Sequence, residues 1–225
     1  MLRLQRILDR ADELGMVVIL GFFYFGQEQR LRDEQAIVRA VDEAIDWLFD
    51  HDYHNVLIEI ANESGRGYQQ PTLQPDRIHE LVLHVKERVR NGRRFSVSTS
   101  CGCDLPGQLL PTAEIVAEAD FVLLHGNNVS GPTQLRELVR AARQIRGYRP
   151  MPVLFNEDDH FDFHKPLNHM TAAIEEYAGW GYFDYRLPGE SVEHGYQSMP
   201  IDWGISSERK RAFFGKVAEI TNSDV

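Results

Sequence analysis

The chain has 225 residues, 43% hydrophobic and 26% charged, with a formal net charge of −10. That length supports a proper core in one domain. The acidic balance disfavours a nucleic-acid partner, which needs a basic face, and no apolar run approaches the ~20 residues of a membrane-spanning helix.

In chain order, residues 2–14 carry Leu4, Ile7, Leu8, Ala11 and Leu14 at helical spacing, and Gly15 follows as a stop. Met16 to Phe23 is rich in Val, Ile and Phe and reads as a strand. Asp33 caps a helix to Asp50, with Ile37, Val41, Ala44, Ile45 and Leu48 facing inward. A strand follows at Val56–Ala61. Asp76 caps a helix to Arg90, with Ile78, Leu81, Val82, Val85 and Val89 inward, and Asn91-Gly92 ends it. Phe95–Thr99 is a strand, residues 112–118 a short helix, and Phe121–Leu124 a strand. A helix at Thr133–Arg146, a strand at Val153–Phe155 and a helix at Asn168–Ala178 come next. Tyr182–Tyr185 is a last short strand. A helix at Ser207–Ile220 places Phe213, Phe214, Val217 and Ile220 on one side.

Strands alternating with helices predict an α/β protein with a parallel sheet. No composition break divides the chain, so a single domain is expected over 1–225. The segments that follow strands are long and polar, those that follow helices short, and no glycine-rich phosphate loop is present. This favours a (β/α) TIM-type barrel over an open nucleotide-binding sheet. Six βα units are recognisable where a barrel has eight, so the expected barrel is incomplete and lacks its first two strands. Its edges at 16–23 and 182–185 would then be unpaired, and a homodimer that covers them follows as an expectation.

Nothing at the amino terminus reads as a signal peptide. This points to the cytoplasm, or to secretion if a leader precedes a chain that starts mid-pattern. Cys101 and Cys103 are too close in sequence for an unstrained bridge and read as free thiols.

Two apolar runs end in Asn-Glu: Val56 to Asn62-Glu63, and Met151 to Asn156-Glu157. Each delivers a carboxylate from the C-terminal end of a strand. Two such carboxylates are the requirement of a retaining glycosidase, one as acid/base and one as nucleophile. Asn62 is placed to hydrogen-bond a sugar hydroxyl. Glu59, inside the strand, is read as a structural ion-pair partner or an orienter of a site residue.

On those residues the chain resembles the clan of (β/α)8-barrel retaining glycoside hydrolases that includes cellulases, mannanases and β-galactosidases. In that clan an Asn-Glu after strand four supplies the acid/base and a Glu after strand seven the nucleophile. Counting back from Tyr182–Tyr185 as strand eight puts Glu63 and Glu157 at those two places. The resemblance implies hydrolysis of β-linked sugars by double displacement, with no cofactor. It also implies a sugar-site role for His125, which matches the clan's histidine after strand six. Asn127 stands where the clan has a tyrosine, Tyr185 stands where it has a tryptophan platform, and Trp203 is a second platform candidate. Trp180 precedes the last predicted strand. His160 is expected to line the sugar site, and His160 and Asp158 to line it or hold the loop.

Two other readings follow from the residues. The run from Asn156 to His164, with His169 nearby, is dense in metal-ligand types, which fits a divalent-metal barrel enzyme. A non-catalytic carbohydrate-binding barrel is the other.

Overall fold

The computed structural model describes residues 1–101 and 110–222. Cys103 therefore lies outside the described residues, and Cys101 is buried, with the Ser64 hydroxyl 3.7 Å from its sulfur. The order of the elements is α1 (Leu2–Glu13), β1 (Val18–Phe23), α2 (Glu34–Asp50), β2 (Val56–Ala61), α3 (Ile78–Glu87), β3 (Ser96–Ser98), α4 (Ala113–Glu118), β4 (Val122–His125), α5 (Pro132–Ala142), β5 (Val153–Asp158), α6 (His169–Glu175), β6 (Gly179–Tyr182) and α7 (Glu208–Thr221).

The six strands form two separate three-stranded sheets, ordered β1-β2-β3 and β4-β5-β6. The chain is α/β as expected, but the expected incomplete (β/α) barrel of six consecutive strands is not formed, because the strands divide into two separate sheets. The break between β3 and β4 has a local cause. Where a ladder would continue, the Val97 N–H donates to the Asp120 carboxylate at 3.0 Å instead. Asp120 N–H returns one bond to Val97 O, and Ser98 Oγ donates to Phe121 O. A side chain and isolated bonds thus stand in for the ladder.

The chain clusters into two compact units, Met1–Leu123 with Ala142–Pro152, and Leu124–Ala141 with Val153 onward. In the first, β1 and β2 pair in register from Val18↔Val56 to Phe23↔Ala61. Ile58, Ile60 and Val97 pack with Ile37, Val41, Ile45 and Leu48 of α2 and with Ile78, Val82 and Val85 of α3. Asp33 caps α2 by accepting from Ala36 N–H at 2.8 Å. Asp76 does not cap α3, whose N-cap is Arg77.

The second unit buries Leu124, Val129, Leu135, Val139 and Val153, and it also holds an aromatic cluster. Phe163 meets Trp180 edge-on at 5.6 Å, and Tyr182 stacks on Phe213 at 4.4 Å. Of the expected α7 face, Ile220 is exposed, and Lys210 is the helix's buried residue. Its ammonium donates to the carbonyls of Asp202 and Gly204.

Two further expectations fail for physical reasons. Val89 is exposed because α3 stops at Glu87. Arg88 and Arg90 then reach the carboxylates of Asp46 and Asp50 on α2. Asn91 and Gly92, both at positive φ, close a two-residue hairpin between Arg90 and Arg93. On α1 only Leu8 and Ala11 are buried, while Ile7 and Leu14 face solvent.

Burial pushes the Asp120 carboxyl up, but the Arg94 guanidinium and the Val97 N–H outweigh it and hold the group below the ordinary aspartate range. A depressed carboxylate contributes stability that is complete above its unfolded value, about pH 4, and is lost as pH falls through the lower folded value. Asp120→Asn is therefore expected to be less stable at neutral pH by about 1–3 kcal/mol and to show a flatter loss below about pH 4 than the parent. Urea titrations from neutral pH to pH 2.5 check this.

Candidate functional site

In the first unit, Glu63 follows the end of β2 with φ of 52°, a left-handed conformation that non-glycine residues rarely adopt. Buried polar groups hold it there. Its N–H donates to Ser100 Oγ at 2.8 Å, and the Ser100 hydroxyl donates to Glu59 Oε1 at 2.5 Å. Ser64 N–H donates to Ser100 O. Glu59 thus orients the Glu63 backbone through Ser100. The Glu63 side chain is buried, and Arg66 donates to its Oε2 at 2.5 Å while lying over the Phe25 ring. Arg66 therefore competes with any substrate oxygen for this carboxyl.

Asn62 is buried, and its backbone is tied on both sides. Its N–H donates to Phe23 O, and its carbonyl accepts from the Tyr68 hydroxyl at 2.7 Å. Tyr68 also reaches Phe23 O at 3.1 Å, so it bridges the ends of β1 and β2. Burial, and then the charges of Glu59, Glu28 and Glu63, push its hydroxyl far above the ordinary tyrosine range, so it stays a donor. Sequence reasoning missed Tyr68, because a tyrosine in a polar loop carries no pattern.

In the second unit, β5 runs on to Asp158, so Glu157 lies on the strand rather than after it. The pairing with β6 shifts there. Phe155 faces Trp180, but Asp158 faces Tyr182, three steps against two. This register shift disrupts the ladder locally, as a β-bulge does. Gly181 is required against it, since a Cβ there would stand 2.9 Å from the carbonyls of Phe155 and Asn156. Gly126 N–H donates to Glu157 O at 2.7 Å, and Phe183 N–H to Asp158 O at 3.1 Å.

The Glu157 side chain keeps 20% of its surface exposed. Asn127 Nδ2 donates to its Oε2 at 3.4 Å, and Nδ1 of the fully buried His125 is 3.8 Å away. Three of the expected residues, Glu157, His125 and Asn127, thus come together at the ends of β4 and β5.

Asp158 lies at the centre of the neighbouring network and is wholly buried. Its Oδ1 accepts from His160 N–H at 3.1 Å and is 2.7 Å from His160 Nδ1. Its Oδ2 is 2.8 Å from His169 Nδ1 and accepts from Trp180 Nε1 at 2.8 Å. Burial pushes the Asp158 carboxyl up, and the bonds from His160 and His169 outweigh it, so it stays below its usual range. The bond to Asp158 in turn raises the proton affinity of His160.

Trp180 lies inside β6, not before it, because the strand spans Gly179–Tyr182 rather than Tyr182–Tyr185. Tyr185 consequently falls beyond the strand, with its hydroxyl donating to Asp159 Oδ2 at 3.2 Å. Trp203 is 75% exposed on the loop after β6 and stacks with Tyr196.

Asp158, His160 and His169 each offer a ligand-type atom within 4.8 Å of the others. The two rings stack with centroids 3.8 Å apart and planes 24° from parallel. An ion bound in the plane of one ring then lies well out of the plane of the other. The donor geometry fits a hydrogen-bonded carboxylate better than a two-histidine metal centre.

Comparison with family models and with curated proteins finds no match for the chain. No helix among the described residues is long and apolar enough to cross a membrane.

Glycine substitutions test the packing with opposite signs. A Cβ at position 126 would sit 2.1 Å from Asp158 Oδ2, whereas one at position 215 in α7 meets nothing within 4 Å. Gly126→Ala is expected to destabilise by about 1–3 kcal/mol, and Gly215→Ala to stabilise by about 0.5–1 kcal/mol. Chemical denaturation of both variants reads the two signs.

Proposed function

We propose that the protein is a glycoside hydrolase that cleaves β-linked sugars with retention of configuration, using Glu157 as nucleophile. The observation that carries this reading is the setting of Glu157. Its carboxylate stands on a bulged strand end and is part-exposed. Asn127 and His125 lie beside one oxygen, and its backbone is pinned by Gly126. A nucleophilic carboxylate needs a fixed position and an open face toward the anomeric carbon.

Glu63 takes the acid/base role on the strength of the repeated Asn-Glu at a strand end. In the first step Glu157 attacks the anomeric carbon, and the glycosidic bond breaks as the leaving oxygen takes a proton from the general acid. In the second, the same group as base removes a proton from water, which displaces the sugar from Glu157. Asn127, His160, Tyr185 and Trp203 remain the proposed sugar contacts of the second unit and Asn62 that of the first, while the fully buried His125 acts only through Glu157.

One observation favours a second reading, a non-catalytic carbohydrate-binding protein. The Glu63 carboxyl is already engaged by Arg66. In that case calorimetry would detect sugar binding with no hydrolysis.

Kinetics on aryl and alkyl β-glycosides separate the roles. Glu157→Gln is expected to abolish turnover of both. Glu63→Gln is expected to slow alkyl glycosides by about 10²–10⁴-fold while sparing glycosylation by a dinitrophenyl glycoside, whose leaving group needs no proton. Near-normal rates in the Glu157 variant would sink the assignment.

A further inference from the structure

Resting on the glycosidase reading, we propose that Asp158 is the positioning residue for Glu157, fixing through its buried hydrogen bonds the bulged backbone that carries the nucleophile. The bulge creates the need. Between Phe155 and Asp158 the register with β6 slips, so the ladder does not by itself set the conformation of Asn156 and Glu157.

Asp158 supplies the missing constraint from the residue that shares a peptide bond with Glu157. Its two oxygens take the ring nitrogens of His160 and His169, the indole N–H of Trp180 and the backbone N–H of His160. These donors come from the loop after β5, the first residue of α6, and β6. The carboxylate fills the space that a side chain at Gly126 would need. The same Gly126 holds the Glu157 carbonyl, and Phe183 holds that of Asp158.

A rotation of the Glu157–Asp158 peptide would break the bond from Gly126, and a shift of the Asp158 Cα would break the side-chain hub and the bond from Phe183, so both ends of that peptide are held. Asp158 is wholly buried, whereas the Glu157 side chain keeps 20% of its surface exposed. Asp158 acts through the nucleophile's backbone.

The test uses the full chain and the 4-nitrophenyl β-pyranoside that the parent hydrolyses fastest from a panel of common sugars. Rates are read at a temperature where thermal scans show each variant folded. Asp158→Asn, which keeps the shape but loses one acceptor, is expected to lower kcat by about 10²-fold, with KM within about twofold of the parent. His169→Ala is expected to lower kcat in the same way. His169→Gln, which keeps an N–H donor for Asp158, is expected to recover part of the loss.

A pure packing role would change unfolding temperatures with no kcat-only loss and no rescue by glutamine, and that result overturns the assignment. So does a kcat for His169→Ala equal to the parent's, which decides the matter even if Asp158→Asn fails to fold. If the parent hydrolyses no member of the panel, the glycosidase reading falls, and the role of Asp158 falls with it.

Discussion

A buried carboxylate is tolerated only when its lone pairs are met by donors. In the second unit that carboxylate is Asp158, and much of the local structure follows from satisfying it. His160 turns back two residues toward it, α6 begins with a histidine directed at it, and β6 places an indole N–H beside it. Residue 126 has to be glycine because the carboxylate occupies the space a side chain would need. Asn168 closes a capping box on α6, so the helix that delivers His169 starts at a defined residue. Glu157, one residue away, is left on a rigid support with an open face.

The first unit solves a similar problem with other groups. A buried glutamate inside β2, Glu59, accepts from Ser100, and Ser100 in turn receives the N–H of Glu63. The left-handed conformation of Glu63 is one that its surroundings over-determine. Tyr68 closes the arrangement by bridging the carbonyls of Phe23 and Asn62. At each Asn-Glu, the backbone of the glutamate is set by buried polar groups brought in from neighbouring segments.

Much of the element order was legible in the sequence, since apolar periodicity reports directly on which side of a helix or strand is buried. The core of α2 and the pairing strands β1 and β2 are examples. What was illegible depends on partners. The bulge at Asn156–Glu157 exists only relative to β6, and its one trace is a glycine at 181 between two aromatics. The last strand lies three residues earlier than expected, because the aromatic residues of 182–185 have as strong a strand preference as Trp180 and Tyr182. The incomplete barrel was inferred from long loops after strands and short ones after helices, and loop lengths do not show that Asp120 takes the ladder donor of Val97. Of the site, the two glutamates could be named from strand ends, and His125 and Asn127 only through the resemblance. Arg66, Ser100 and Tyr68 could not, because each reaches its partner through a loop.

The central claim is that Glu157 forms a covalent bond to sugar. Incubation with activated 2-deoxy-2-fluoro-β-glycosides, followed by peptide mass spectrometry, tests it most directly, because the fluorine slows release of the glycosyl-enzyme. The account predicts one fluorosugar on the peptide containing Glu157. An adduct on a different residue, or none from any sugar that the protein hydrolyses, would contradict it.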